Sequence, residues 1–213
     1  KKHIDGHAPG IRGKEVQAYR LAGVENDHEC STAEEVLDKL RAGLHIYVRE
    51  GSGAKNLETL IKTMLDAGVC LDRCAFCTDD KHVEEIRKEG HISTCIRKAI
   101  ALGVPVAKAY KMGSYQAAEF YGLKNYGAIG AGYRADIVFL DDLEQVRPLD
   151  VMKDGRILTE EDYAKDYSVP VPDELLHTVH VGEVTKEKIR LSCDGKTDVI
   201  QMNPHQIVTT HLV

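Results

Sequence analysis

The residues that decide the fold are Phe76-Cys77-Thr78-Asp79-Asp80, a short apolar run that ends abruptly in two carboxylates. A buried strand that delivers an acid at its C-terminal end is the way in which barrel proteins bring reactive groups to one rim. Three other strand-like runs end in a polar side chain and precede a helix-like segment, at His7, His28 and Glu50. The pattern predicts four successive β-strand–helix units with their reactive side chains gathered at that rim.

Composition and charge narrow the class of protein. The chain has 213 residues, of which 43% are hydrophobic, and its formal net charge is −6. That length suits one large domain or one and a half small ones, and the absence of a basic run argues against a nucleic-acid partner. No run of about 18 apolar residues is present, so we expect no membrane span. Six cysteines in an acidic chain without a signal peptide favour reduced thiols and a cytoplasmic setting.

Periodicity predicts the elements up to Gly122. Strands are expected at residues 2–7, 24–29, 44–49 and 71–78, and a first helix at 13–22. Thr32 and Glu35 have the spacing of a capping box, which marks the start of the second helix. Apolar residues at helical spacing mark the third, at Leu57, Leu60, Ile61, Met64 and Leu65. Residues 83–122 are expected to be helical in several pieces, broken at glycines.

The character of the sequence changes after Gly122. Short strand-like runs separated by turn residues predict a small β domain, at residues 135–140, 150–153 and 156–158. Residues 168–172, Ser-Val-Pro-Val-Pro, are typical of an extended proline-bearing linker. Residues 206–210 are strand-like.

His7 and His28 are the first candidates for chemistry. Imidazoles at the ends of neighbouring parallel strands can converge on one metal ion, with Asp79 from another strand as an oxygen ligand. Each histidine alone is more simply a surface or capping residue, and the carboxylates at 79 and 80 alone could cap the helix that starts near His82. Two histidines and an aspartate at the same rim favour the metal site.

A structural zinc site is the alternative from a different class. Cys70, Cys74, Cys77 and His82 offer ligands, but their spacing lacks the two close pairs of the common zinc modules. Cys74 and Cys77 are an odd number of residues apart in a strand, so their side chains should point to opposite faces. We therefore expect these cysteines to act as small hydrophobes.

Two sets of polar residues near the rim each have two possible roles. The turn Arg49-Glu50-Gly51-Ser52 combines an ion pair, a hydroxyl and a flexible backbone, which could hold a polar heterocycle or cap the next helix. Glu29, directly after His28, could be a proton shuttle or a solvated charge.

Four ordered motifs resemble the adenine deaminases of the amidohydrolase superfamily. The motifs are Ile4–Gly10 (IDGHAPG), Asn26–Cys30 (NDHEC), Arg49–Ser52 (REGS) and Cys77–His82 (CTDDKH). The segment from Gly127 to Val138 resembles that superfamily's return from the barrel into its small β-sandwich. The resemblance is strong over residues 1–160 and continues weakly to Val213.

The resemblance implies an α/β fold: part of a (β/α)8 metal-dependent amidohydrolase barrel followed by a small β domain. Residues 1–122 would be the second half of the barrel, 123–160 the return strands of the β-sandwich, and 161–213 a linker and the start of a C-terminal domain. The first four strands have no counterpart, and the chain enters a strand without an initiator Met. We therefore expect it to begin within a longer protein.

The activity implied by the resemblance is hydrolytic deamination of adenine to hypoxanthine and ammonia by a metal-activated hydroxide, a step of purine salvage. Two divalent ions, manganese or iron, are implied as cofactors, with His7, His28 and Asp79 as ligands and Asp79 also as general base. Glu29 or Glu50 would assist at a ring nitrogen, and Glu50 and Ser52 would bind the substrate.

The family's His-x-His pair on the first strand and its carboxylate on the fourth have no counterpart here. This incomplete ligand set leaves a second interpretation, which is a non-catalytic fragment or a binding module with an incomplete metal site. A half barrel would expose two unpaired strand edges. The expected partners are therefore a second copy, in a homo-oligomer, or the missing N-terminal half.

Overall fold

The computed structural model describes residues 2–193 and 195–213 of the chain. Lys1 and Asp194 lie outside the described residues, although the predicted barrel half and C-terminal segment include them. Helix α1 (Gly13–Leu21) comes first and is followed by a sheet of three parallel strands, β1 (Asn26–Asp27), β2 (His45–Arg49) and β3 (Cys74–Cys77). Helices α2 (Ala33–Arg41) and α3 (Leu57–Asp66) connect successive strands. These connections are βαβ crossovers, so the predicted alternation of strands and helices is confirmed from Asn26 to Cys77.

The helices begin and end where local signals place them. The Glu35 N–H donates to Thr32 Oγ1 at 3.3 Å while the Glu35 carboxylate accepts the Thr32 N–H at 2.8 Å, which confirms the capping box of α2. The inward residues of α3 are fully buried, as its apolar spacing predicts. After β3 the chain forms four helices, α4 (Val83–Glu89), α5 (Ile92–Ala101), α6 (Val106–Gly113) and α7 (Tyr115–Phe120). The breaks near Gly90, Gly103 and Gly113 confirm the prediction that residues 83–122 are helical in several pieces.

The core lies on both faces of the parallel sheet. On one face, Cys74 and Phe76 pack with Val48 in the main apolar cluster, which helices α2, α3, α5 and α6 cover. On the other face, Ala75 and Cys77 pack around Phe120 of α7. The predicted opposite directions of Cys74 and Cys77 are confirmed. Both faces of the sheet are covered by helices, as parallel sheets require.

The predicted strand at residues 2–7 is wrong. One backbone hydrogen bond joins it to the chain before β1, from Glu25 N–H to the carbonyl of Ile4 at 3.1 Å. The next donors turn to side chains instead: Gly6 N–H donates to Asn26 Oδ1 and Ala8 N–H to Asp27 Oδ1, both at 2.9 Å. Because side-chain oxygens replace the ladder, the segment is extended without being a strand.

Two other predicted strands are shorter than expected, and a third is displaced. The strand predicted at 24–29 is limited to β1, and the one predicted at 71–78 begins with a 3-10 turn over Leu71–Arg73 before β3. The one predicted at 206–210 lies at Thr209–Leu212, after a turn in which His205 has a positive φ of 58°. Turns at these ends take the backbone out of the extended region, and periodicity in the sequence does not detect them.

The C-terminal part contains two small antiparallel sheets. Strands β4 (Ile137–Asp142), β5 (Arg147–Lys153) and β6 (Arg156–Ile157) form the first, which agrees with the short strands predicted after Gly122. Short helices α8 (Glu160–Tyr163), α9 (Asp173–Leu176) and α10 (Lys186–Ile189) precede a hairpin of β7 (Val199–Met202) and β8 (Thr209–Leu212). Across the two described ranges, no helix has the length and hydropathy needed to cross a membrane.

The turn between β7 and β8 contacts the barrel-like part, which consists of the parallel sheet and helices α1–α7. Lys55 N–H donates to the carbonyl of His205, and Asn56 Nδ2 donates to Gln206 Oε1, both at 3.2 Å. Lys55 and Asn56 lie between β2 and α3. The hairpin is therefore attached to the loop that follows the strand carrying Arg49.

Candidate active site

His7, His28 and Glu29 meet at the carboxyl end of β1. His7 Nδ1 lies 3.3 Å and His28 Nε2 3.1 Å from the same oxygen, Glu29 Oε1. One donor atom from each of the three side chains lies within 4.8 Å of the others. Zinc and similar ions bind imidazole nitrogen and carboxylate oxygen at about 2.0–2.2 Å. Donors at this spacing can therefore surround one ion.

The side chains of this group differ widely in solvent exposure. The His7 side chain is 67% exposed, whereas the Glu29 side chain is 2% exposed and its Oε2 has no hydrogen-bond partner within the described ranges. A buried carboxylate oxygen without a partner is costly. Two imidazoles and a carboxylate oxygen that needs a partner fit a divalent transition-metal ion.

Arg49 links this group to the carboxylates that follow β3. Its Nη1 donates to Glu29 Oε1 at 2.8 Å, and its Nη2 lies 2.8 Å from Asp79 Oδ2 and 3.1 Å from Asp80 Oδ1. Parallel strands end at the same edge of a sheet, which is why the ends of β1, β2 and β3 meet here. The predicted gathering of polar groups at one rim therefore includes Glu29, Arg49 and Asp79.

Asp79 lies beside the group and is not a member of it. Its backbone has a positive φ of 42°, a conformation that aspartate adopts more readily than most residues with a side chain. The Asp79 carboxylate reaches Glu29 through the guanidinium of Arg49. The structure thus brings His7 and His28 together as predicted, with Glu29 rather than Asp79 as the adjoining carboxylate.

Comparison with known proteins identifies the family. Residues 1–158 match the amidohydrolase family. The chain belongs to this family. It is 40% identical over 209 residues to the adenine deaminase of Desulfitobacterium hafniense, and 42% identical over 200 residues to that of Clostridium acetobutylicum. The two matches cover 98% and 93% of this amidohydrolase chain. They cover only 36% and 34% of the two relatives, so the chain spans about a third of their length. The resemblance expected from the four motifs is confirmed.

A solved structure supports the fold. The chain superimposes on the beta-aspartyl dipeptidase of Fervidobacterium islandicum AW-1 with a TM-score of 0.59, at 18% identity, over 79% of this chain and 50% of that one. At this identity the likeness concerns architecture alone. Together with the family match, it identifies the parallel βα units as part of an amidohydrolase domain of the TIM-barrel type.

Glu50 and Ser52 form contacts elsewhere in this amidohydrolase. Glu50 Oε1 lies 2.5 Å from Lys98 Nζ, and Ser52 Oγ donates to Glu85 Oε2 at 2.7 Å. Arg49 pairs with Glu29, Asp79 and Asp80 instead, so the ion pair predicted within this turn is wrong. Substrate binding by Glu50 and Ser52 stays a prediction.

Asp80 holds the loop after β2 against the loop after β3. Its Oδ2 accepts the Gly53 N–H at 2.6 Å, and a Cβ added at Gly51 would collide with its carboxylate. Burial acts to raise the pKa of Asp80, but the hydrogen bonds from Gly53 and Arg49 outweigh it and lower the pKa. Glycine at 51 is therefore needed for the close approach of these two loops.

Sequence reasoning missed Asp27 and Lys39, which lie behind the His7–His28–Glu29 group. Lys39 Nζ and Asp27 Oδ2 are 2.9 Å apart, and both side chains are buried. Burial acts to lower the pKa of Lys39, but the neighbouring Cys30 and Asp27 outweigh it and raise the pKa. One signal could have found the pair: Lys39 lies three residues after Val36, on the buried face of α2.

The cysteines of the zinc alternative are spread over different environments. Cys74 contacts Met64 in the main core, and burial raises the pKa of its thiol to about 12. Cys70 is exposed, and Cys77 lies on the other face of the sheet. A protonated core thiol is a poor metal ligand.

The interpretation of Glu29 as a solvated charge is wrong, because that side chain is buried.

Proposed function

We propose that this chain forms part of a metal-dependent hydrolase that converts adenine and water into hypoxanthine and ammonia. The observation that carries the proposal is the His7–His28–Glu29 group with its unpartnered buried oxygen. It lies in a chain that is 40% identical to a protein named adenine deaminase. Because the chain spans about a third of that relative, the activity belongs to an intact protein in which other residues complete the site.

The domain organisation is part of the proposal. Residues 1–122 would form the second half of a (β/α)8 barrel, 123–160 the return strands of a small β-sandwich, and 161–213 a linker and the start of a C-terminal domain. The parallel order β1-β2-β3 and the antiparallel order β4-β5-β6 support it. The outer edges of β1 and β3 would pair with further strands, supplied by the missing half or by a second copy.

We also propose a cytoplasmic setting, which the six free thiols support.

His7, His28 and Glu29 are the residues that would hold a divalent ion. Manganese and iron both accept imidazole and carboxylate ligands, and either would supply Lewis-acid activation of water. Asp79 is proposed as a further carboxylate ligand of a two-ion site, because its side chain reaches the same rim beside Arg49. Glu29 has two proposed roles, ring-nitrogen donor and metal ligand, and its 3.1 and 3.3 Å contacts with the histidines support the second.

Asp79 would move the proton. Its carboxylate accepts a proton from the attacking water as the bond between oxygen and C6 of adenine forms. It then returns that proton to the exocyclic amine as the C6–N bond breaks and ammonia leaves. The 2.8 Å contact with Arg49 would orient the carboxylate for both transfers.

The experiment is an assay of ammonia release from adenine by the intact protein, after chelation and after reloading with manganese or iron. We expect chelation to abolish turnover and reloading to restore it. Asp79→Asn should abolish turnover with the circular dichroism spectrum unchanged, whereas Asp141→Asn, at an exposed ion pair with Arg147, should leave the rate unchanged. A near-native rate in Asp79→Asn would contradict its role as base. Adenine binding without ammonia release would favour the binding-module reading.

A further inference from the structure

A fully buried ion pair lies directly behind the His7–His28–Glu29 group. The side chains of Lys39 and Asp27 are both 0% exposed, and their charged atoms are 2.9 Å apart. Removing two charges from water is costly, and well-packed apolar side chains of similar volume often stabilise a protein as well or better. Stability alone is therefore a weak reason for this pair. Its hydrogen bonds show what it holds.

Both members of the pair bind the backbone of Ala8, the residue after His7. Ala8 N–H donates to Asp27 Oδ1 at 2.9 Å, and Lys39 Nζ donates to the Ala8 carbonyl at 2.6 Å. The segment around His7 is not a strand, so side chains take the place of ladder bonds in holding it. The position of the His7 backbone along β1 therefore depends on this pair.

The same carboxylate also holds the chain on both sides of His28. Asp27 precedes His28, and its Oδ2 accepts the N–H of Glu29 at 3.1 Å and the thiol of Cys30 at 3.3 Å. One buried side chain thus contacts the residues next to both histidines, while the ammonium of Lys39 fixes that side chain from behind.

We propose that Asp27 and Lys39 are positioning residues that set the distance between His7 and His28 and thereby the affinity of the His7–His28–Glu29 group for a divalent ion. The inference rests on the proposed function and extends it to residues that do not touch the ion. They act through the Ala8 backbone and the Glu29 N–H. Loss of a residue that supports a metal ligand typically weakens binding about 10–100-fold.

The test measures Co²⁺ binding to the metal-free intact protein by calorimetry and by the visible absorption of the bound ion, so that no turnover is needed. Lys39→Met should weaken Co²⁺ affinity about 10–100-fold and change the absorption spectrum. Lys62→Met, which removes an exposed ion pair with Glu58 on the neighbouring helix, is the matched control and should leave both unchanged.

A second variant separates positioning from folding, because Lys39→Met leaves the Asp27 charge buried without its partner. The double variant Asp27→Asn/Lys39→Met removes both charges. The introduced amide oxygen can still accept the Ala8 N–H, while the amide nitrogen replaces the oxygen that accepts the Glu29 N–H. This variant should melt closer to the parent than Lys39→Met does, because no charge is left buried alone, yet bind Co²⁺ at least as weakly, because the Ala8 carbonyl and the Glu29 N–H have each lost a partner.

The outcomes distinguish this inference from the function on which it rests. A folded single or double variant that binds Co²⁺ with the parent's affinity and spectrum would overturn the positioning role alone. A parent protein that binds no Co²⁺ would refute the proposed metal site, and the positioning role with it.

Discussion

Removal of Arg49 is the sharpest perturbation of the rim. Its side chain is 6% exposed and joins the buried Glu29 to Asp79 and Asp80, which are 42% and 35% exposed. Glu29 is shielded from water and Arg49 balances its buried negative charge, whereas the two aspartates keep access to solvent. Most of the cost of losing Arg49 should therefore come from Glu29.

The magnitude follows from this difference in burial. Breaking a buried pair by removing one partner costs about 3–5 kcal/mol, whereas exposed pairs contribute about 0–1 kcal/mol. Arg49→Met should lower the free energy of unfolding of the metal-free protein by about 3–5 kcal/mol. A saturating divalent ion should restore part of that loss, because it binds the folded protein and supplies Glu29 with a positive charge.

The assay is urea denaturation followed by circular dichroism, with chelator and with manganese. Glu29→Gln alone and combined with Arg49→Met completes a double-mutant cycle, and the double variant should recover most of the loss. Arg134→Met, at an exposed pair with Asp154, is the control and should change little. A loss below about 1 kcal/mol in Arg49→Met, with no coupling to Glu29, would refute the reasoning.

Two further predictions concern the backbone around His7 and the far end of the sheet. A Cβ at Gly6 would collide with the carbonyl of Asn26, so Gly6→Ala should displace the His7 segment and weaken Co²⁺ binding. The control Gly182→Ala places its methyl group in open space and should leave Co²⁺ binding unchanged. Equal Co²⁺ affinities of the two variants would contradict the importance of the Gly6 contact. Burial, helped by the charge of Arg73, lowers the pKa of His45 to about 4 from 6.5. The unfolded chain therefore binds this proton first, and stability present above pH 6.5 is lost as the pH falls towards 4. In the His45→Leu variant the melting temperature should depend less on pH between 6.5 and 4. An unchanged pH dependence would show that His45 is not its cause.

Local patterns were enough to predict most of the barrel-like part. The capping box at Thr32 and the apolar spacing of α3 involve residues within one or two turns of each other, so the sequence contains the whole interaction. The approach of Glu29 and Asp79 to Arg49 followed from a general property of parallel strands, whose carboxyl ends share an edge.

The parts that could not be predicted depend on contacts between distant residues. The segment at 2–7 fails to become a strand because the side chains of Asn26 and Asp27 intercept its N–H groups. Glu29 was left open between shuttle and solvated charge because its burial depends on Arg49, 20 residues away. The direction of Arg49 was within reach, since strand alternation separates it from Glu50.

The buried pair of Asp27 and Lys39 also restricts how this sequence can change over generations. Either single replacement by a neutral residue leaves one charge buried alone, so the first step away from the pair is harmful while the second is compensating. Such positions are strongly epistatic. Related sequences should therefore keep both residues or replace both together, and a chain that contains only one of them should carry a new buried counter-charge nearby.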